Sequence, residues 1–155
     1  MLENCKSAQE RWGGVSEIID KWLLERKELL VLYCKLSDLA EEAHDELLAP
    51  LVQGLCQILV DYMSAGHFEV YDQLVKEGQD FDDKEGLISA NESFKEVDST
   101  TQQILDFNDK YQETDDLDGI VNDLSHLGEI LAQRFEAEDN MIEVLHVAHK
   151  DQALS

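Results

Sequence analysis

One proline in 155 residues, Pro50, leaves almost nothing to stop a helix from running. The apolar residues use that freedom. Over most of the chain they recur at steps of three and four, the period of a buried helix face. Val15, Ile18, Ile19, Trp22, Leu29, Leu30, Tyr33 and Leu36 mark one amphipathic helix over 15–36. Gly13-Gly14 is expected to break or kink the chain before it, leaving 2–12 as a short separate helix or a frayed extension. Residues 37–49 are acidic and weakly periodic, and read as a connection with room for a short helix. Pro50 fits the first turn of the next helix, where its missing N–H costs nothing. Leu51, Leu55, Ile58, Leu59, Tyr62 and Met63 form that helix's stripe. Gly66 interrupts it, and Phe68, Tyr71, Leu74 and Val75 resume it up to Gly78. An acidic loop is expected over 79–86. Leu87, Phe94, Val97, Ile104, Leu105 and Tyr111 carry a further helix, and polar Asn91, Thr101 and Asn108 make its inner face only partly buried. Asp116 is the expected N-cap of the last helix. Leu117, Val121, Leu124, Leu127, Leu131, Phe135, Ile142 and Leu145 run through that helix to about Lys150.

This pattern predicts an all-α fold: an up-down bundle of four long helices plus a short N-terminal helix, in a single domain over 1–155. So few breakers exclude an all-β chain, which needs many turns. Hydrophobic residues at 43% and charged residues at 30% suit a soluble globular domain. No apolar run approaches the roughly 18 residues of a membrane span, and the N-terminus lacks a signal-peptide layout. A cytoplasmic protein is expected. Cys5, Cys34 and Cys56 form no CxxC and no zinc spacing, so reduced structural thiols are the reading.

Thirty-five acids against 12 bases give a net charge of −23. Six of the bases (Lys6, Arg11, Lys21, Arg26, Lys27, Lys35) lie in residues 1–36, matched there by six acids. Residues 37–155 therefore carry the whole net charge. Such a surface repels nucleic-acid phosphates and anionic lipid, and attracts basic partners. No direct nucleic-acid and no membrane contact is expected. Solubility alone is the plainer account of the acidity.

No catalytic signature is present: no GxGxxG, P-loop, GxSxG or HExxH occurs, and no enzyme and no cofactor is expected. Two ExxH patterns, Glu41 to His44 and Glu143 to His146, have the spacing of di-metal bundle ligands, but a site needs inward carboxylates on partner helices as well. The helix carrying Leu51 to Met63 offers none in its stripe, so no metal is expected. His126, His146 and His149 are expected at the surface or its boundary. Arg134 and Glu138, four apart, are expected at the edge of the apolar stripe, with a partly buried ion pair as the alternative. Trp12, Trp22 and Tyr33 read as core, although an exposed tryptophan on a neutral helix would also make a contact surface. Asp61, Ser64 and His67 recur at i, i+3 and i+6, which puts them along one side of a helix. The small residues Ser64-Ala65-Gly66 allow a close approach, either by another chain or by a neighbouring helix of the same bundle.

The stretch Leu59-Val-Asp-Tyr-Met-Ser-Ala-Gly-His-Phe-Glu-Val-Tyr71 closely resembles the signature of the regulator of sigma D family, Rsd/AlgQ. Glu10-Arg-Trp-Gly-Gly14, Ile19-Asp-Lys-Trp-Leu23, Arg26-Lys-Glu-Leu-Leu30 and Leu32-Tyr-Cys34 resemble its first helices. Thr101-Gln-Gln-Ile104, Leu127-Gly-Glu129, Arg134-Phe135 and Glu138-Asp139 resemble its later ones, and the likeness is closest to the AlgQ branch. The resemblance implies a helical anti-sigma factor. Such a protein binds the primary sigma factor of RNA polymerase through region 4, which recognises the −35 promoter element. It keeps sigma from the core enzyme and favours alternative sigma factors in stationary phase. The AlgQ branch adds alginate regulation, and a sugar-transport phosphocarrier protein is a further implied partner. The sigma-contact role carries onto Asp61, Ser64, His67 and Phe68, with Trp22 and Arg26 on the neighbouring helix. A metal-binding bundle of hemerythrin or ferritin type and an acidic adaptor for another protein are the rival readings.

Overall fold

A computed structural model describes the backbone of residues 2–42 and 45–154, and the side chains of 9–42 and 46–154. Among these residues there is no strand. Helix α1 spans Leu2–Ala40 and α2 spans Asp45–Ala65. A π-helical turn, Gly66–Val70, joins α2 without a break to α3, Tyr71–Asp80. Helix α4 covers Lys84–Tyr111 and α5 covers Ile120–Leu145. A 3₁₀ turn over Val147–His149 then leads into a short α6, Lys150–Leu154. Trp22 meets Tyr62 while Leu32 meets Gly54, Cys56 meets Asn108 while Tyr71 meets Phe94, and Val97 meets Arg134 while Lys110 meets Asp123, so successive long helices run in opposite directions. The chain thus goes up along α1, down along α2 and α3, up along α4 and down along α5, with α4 and α5 packed along their lengths. The core holds Leu29, Leu36, Val52, Leu55, Leu59, Leu74, Ile104, Met141 and Leu145, all at most 1% exposed.

Several expectations are corrected. The chain does not break at Gly13-Gly14: α1 continues through them. Two glycines cost the helix about 1 kcal/mol each, but contacts on both sides outweigh them. Before the pair, the half-buried Trp12 stacks on His146 at 4.2 Å and donates to its carbonyl at 3.0 Å. After it, Val15 is buried. The expected connection over 37–49 is instead helix on either side of a short turn, and Pro50 lies inside α2 on its exposed side, deeper than the first turn. The acidic loop shrinks to 81–83. Asp116 does not cap α5. It accepts from the Asp118 N–H, and left-handed Gly119 (φ 79°) makes the entry to Ile120. Leu30 and Val121, placed in stripes by periodicity, are 38% and 43% exposed. Asn108 is fully buried, its amide donating to the Cys56 carbonyl at 3.2 Å. The stretch Glu46–Asp80 is apolar and long enough to span a membrane by composition, contrary to expectation, although Val52, Leu55, Leu59 and Leu74 place its apolar side in the bundle core. Cys34 is exposed and Cys56 buried, both as free thiols; the side chain of Cys5 and the residue His44 lie outside the described residues.

Two histidines clasp the C-terminal segment to the bundle, where surface positions were expected. His146 and His149 are buried. His146 Nδ1 lies 2.6 Å from Glu77 on α3. His149 reaches the Leu145 carbonyl through Nδ1 at 2.9 Å and Asp83 through Nε2 at 2.8 Å, and stacks on Phe81. The Gly86 N–H, and then His149, hold the Asp83 carboxyl below its ordinary 3.8. An acid lowered by folding stabilises the fold above its unfolded value, and that contribution disappears as pH falls through the lowered one. The melting-temperature gap between parent and Asp83→Asn is therefore expected at neutral pH, and is expected to close as the medium is acidified below 3.8.

Toward the other end of α5, a Cβ at Gly128 would clash with the Tyr33 hydroxyl, which donates to the Leu124 carbonyl at 2.6 Å. By helix propensity alone, Gly128→Ala would gain about 1 kcal/mol. Overpacking costs about 1–3 kcal/mol and displaces that hydrogen bond, so the variant should melt below the parent. The same change in a Tyr33→Ala background should raise the melting temperature.

Candidate functional site

The stretch singled out by its spacing, 59–71, is where the long second helix changes pitch. The Tyr71 N–H bonds to the Gly66 carbonyl five residues back, the mark of a π-turn. The buried positions around it are Tyr62, Met63, Gly66, Val70, Tyr71 and Leu74, so two adjacent residues, Val70 and Tyr71, both turn inward at the end of the π-turn. On a regular helix Tyr62 and Tyr71, nine apart, would point in opposite directions at 100° per residue. The extra residue in the turn closes much of that gap, so both rings face the core. Gly66 suits this close approach: a Cβ there would stand 3.0 Å from the Trp22 ring and 3.1 Å from the Tyr71 hydroxyl, so both side chains would have to give way. Gly66 thus serves a contact inside the bundle, whereas Ser64 faces the groove.

The turn throws His67, Phe68 and Glu69 outward. Phe68 is 76% exposed, with the His67 ring edge-on to it at 4.9 Å. These two residues border a groove of about 660 Å³ between the second helix and α4. Val60, Met63, Tyr71, Phe94, Val97 and Leu105 supply its apolar lining, and Ser64, Asp72, Asp98 and Thr101 its polar atoms. Asp61 is not part of this lining. It is exposed, accepts from Gln57 at 2.9 Å, and lies on the side towards α1, close enough to Glu25 to act on its charge. Burial, opposed by Lys21 and reinforced by Glu69, Asp61 and Glu28, pushes the Glu25 carboxyl up. The expected line of Asp61, Ser64 and His67 therefore splits. Ser64, His67 and Phe68 meet at the groove, while Asp61 joins Glu25 and Glu69 in an acidic ridge beside it.

Behind the groove lies a buried charge cluster. Glu138 is 1% exposed and Arg134 is 2% exposed, so their expected place at the edge of the stripe is corrected to the core. The Tyr62 hydroxyl donates to Glu138 Oε1 at 2.7 Å, and the Tyr71 hydroxyl donates to Oε2. Arg26 Nη2 and Arg134 Nε each stand 3.6 Å from one of the carboxylate oxygens. Arg134 Nη1 donates to Thr100 and Thr101, both at 3.0 Å, and Nη2 to the Tyr71 hydroxyl at 3.4 Å. Burial pushes the Glu138 carboxyl up, against the pull of Arg134, the two tyrosines and Arg26. Trp22 and Arg26, expected as contact residues, belong to this cluster. Trp22 is 2% exposed, stacks on Tyr62 at 4.8 Å and donates to its carbonyl at 3.1 Å. Arg26 donates to the Tyr62 hydroxyl at 2.9 Å and to Asp139 at 2.6 Å, and lies over Phe135. Sequence reasoning saw the Arg134–Glu138 spacing but not the two tyrosines, whose only signal was their place in an apolar stripe.

The ExxH spacing does not converge: Glu143 is exposed, while His146 turns inward to Glu77. Among the described residues no group of three or more His, Cys, Asp or Glu is arranged to hold a metal.

The sequence pattern described as "Regulator of RNA polymerase sigma(70) subunit, Rsd/AlgQ" matches residues 1–146. The chain belongs to the Rsd/AlgQ family. The protein named Regulator of sigma D in Yersinia pseudotuberculosis serotype O:1b is 36% identical over 149 residues, covering 92% of this chain and 88% of that one. The Regulator of sigma D of Yersinia enterocolitica serotype O:8 is 34% identical, covering 92% of this chain and 89% of its own. That of Enterobacter sp. strain 638 is 34% identical over 148 residues, with 92% and 88% covered. Both the π-turn and the buried cluster fall within the matched Rsd/AlgQ span.

Gly66→Ala tests the packing behind the turn. Its methyl would press on both Trp22 and Tyr71. The expected cost is about 1–3 kcal/mol, read as a lower melting temperature together with changed Trp22 fluorescence.

Proposed function

We propose that this protein is an anti-sigma factor, acting in the cytoplasm, that binds the primary sigma factor of RNA polymerase through region 4. It thereby withholds sigma from the core enzyme and the −35 element and favours alternative sigma factors. Control of alginate synthesis is the physiological output that likeness to the AlgQ branch suggests. Membership of the family supports this reading, and the observation that carries it is the exposed Phe68 beside an apolar groove flanked by acids. A basic helix-turn-helix presents both chemistries such a surface can take: apolar residues for the groove and cations for Asp61, Glu69, Asp72 and Asp98. Ser64, His67 and Phe68 make the groove contact, and Asp61 the charge contact. Trp22 and Arg26 act from behind by supporting the turn. The action in this reading is non-enzymatic.

Titration of purified protein against isolated sigma region 4 tests the reading. Association should slow with salt, because the Debye length falls from about 10 Å at 0.1 M to about 3 Å at 1 M. Asp61 bonds only to Gln57 on its own helix among the hydrogen bonds found, so Asp61→Ala should keep a near-native melting temperature. Its affinity should fall at least about thirtyfold, since unpairing a buried partner cation costs on the order of 2–5 kcal/mol. Phe68→Ala should weaken binding with equally little effect on melting. No binding by the parent at low salt would end the proposal. Unchanged binding by Asp61→Ala would remove that residue from the interface.

A further inference from the structure

Glu138 is sealed in the bundle, yet its partners reach the surface that the proposed function uses. Tyr71 and Arg134 both line the groove; Tyr71 is hydrogen-bonded to this one carboxylate, and Arg134 is ion-paired with it at 3.6 Å. Tyr71 also closes the π-turn whose outer residues are His67 and Phe68. Turns of this kind are rare, because a regular helix hydrogen-bonds better, and they recur at functional sites. Something must therefore hold the extra residue in place. The apolar core cannot, since hydrophobic burial is non-directional. A buried ion cluster is likewise poor value as a source of stability, because desolvation cancels much of its attraction. What hydrogen bonds to a fixed carboxylate do provide is direction.

We infer that Glu138 is the positioning residue of the partner groove: by binding the Tyr62 and Tyr71 hydroxyls on one carboxylate, it fixes the π-turn in the register that directs His67 and Phe68 outward. The inference rests on the groove being the partner's seat. Without the carboxylate, the two hydroxyls lose their common acceptor and Arg26 and Arg134 lose their shared counter-charge. A return of residues 66–70 to regular helical pitch would rotate everything after Val70 by about 100° relative to α2, the angle of one residue. That would take Tyr71 away from Glu138 and reshape the groove rim, while leaving the distant half of α5 as it is.

The experiment compares Glu138→Gln, close in size but uncharged, with Leu124→Ala, a core truncation near the other end of α5. Both are measured at a temperature where each is fully folded. Glu138→Gln is expected to bind sigma region 4 at least tenfold more weakly than the parent. Leu124→Ala, at comparable loss of melting temperature, should bind within about twofold. A readout without the partner accompanies this. The His67 ring signals in proton NMR, shifted by the neighbouring Phe68 ring, should move in Glu138→Gln while those of exposed His126 stay put. If Glu138→Gln does not fold, Tyr71→Phe takes its place; it deletes one hydroxyl and should move the His67 signals and weaken binding about fivefold. The inference is overturned if the substituted protein shows unmoved His67 signals, or if Leu124→Ala loses as much affinity. A parent that fails to bind while the His67 signals still move would defeat the sigma reading and leave Glu138's hold on the turn standing.

Discussion

A carboxylate with 1% exposure has to be answered from every side, and in this bundle each answer comes from a different helix. Arg26 comes from α1, Tyr62 from α2, Tyr71 from α3, and Arg134 from α5 beside Glu138 itself. Leucine and isoleucine faces are close-packed, but they carry no donor–acceptor pairing that fixes which residue meets which. A hydrogen bond lost inside the core leaves a polar group unsatisfied, at about 1–3 kcal/mol. The cluster therefore does what the larger apolar core cannot. It gives four elements a common point of reference, and Trp22, stacked between Tyr62 and the Gly66 backbone, extends that point to the start of the π-turn.

The change of pitch is the geometric consequence. Two tyrosines nine residues apart can both reach one acceptor only if the helix between them departs from 3.6 residues per turn. Gly66 supplies the place for the departure, because its missing side chain leaves room for both aromatic neighbours. An exposed phenylalanine and histidine on the outside are then linked, through one turn of backbone, to a charge cluster on the inside.

Sequence periodicity made the helices legible because each one buries a face, and burial leaves a three-and-four pattern that needs no knowledge of neighbours. What it misjudged depends on neighbours. Gly13-Gly14 read as a break because propensity is local, whereas the Trp12 anchor on His146 lies at the far end of the chain. Arg134 and Glu138 read as a pair at the edge of the stripe because one helix alone shows two charges and not the hydroxyls from α2 and α3 that make their burial tolerable. His146 and His149 were placed outside for the same reason, since Glu77 and Asp83 are remote in sequence. The groove residues Ser64, His67 and Phe68 were legible as a group only through a family signature. Spacing alone tied Ser64 and His67 to Asp61, on the assumption of a regular helix that the π-turn breaks.

The charge distribution adds a last step. Residues 1–36 are balanced, and the remainder carries −23. At the ridge beside the turn, Glu69 and Asp61 act on the half-buried Glu25 carboxyl against the opposing charge of Lys21, and one Glu25 oxygen lacks a hydrogen-bond partner. Like charges held this close raise the energy of the free protein. A basic partner that covers the ridge removes that repulsion as well as adding its own attraction. Under the proposed function, a basic partner on this ridge also meets the apolar groove beside it. Affinity on such a surface draws on relief of repulsion and on burial together, so raising salt weakens the first contribution while leaving the second.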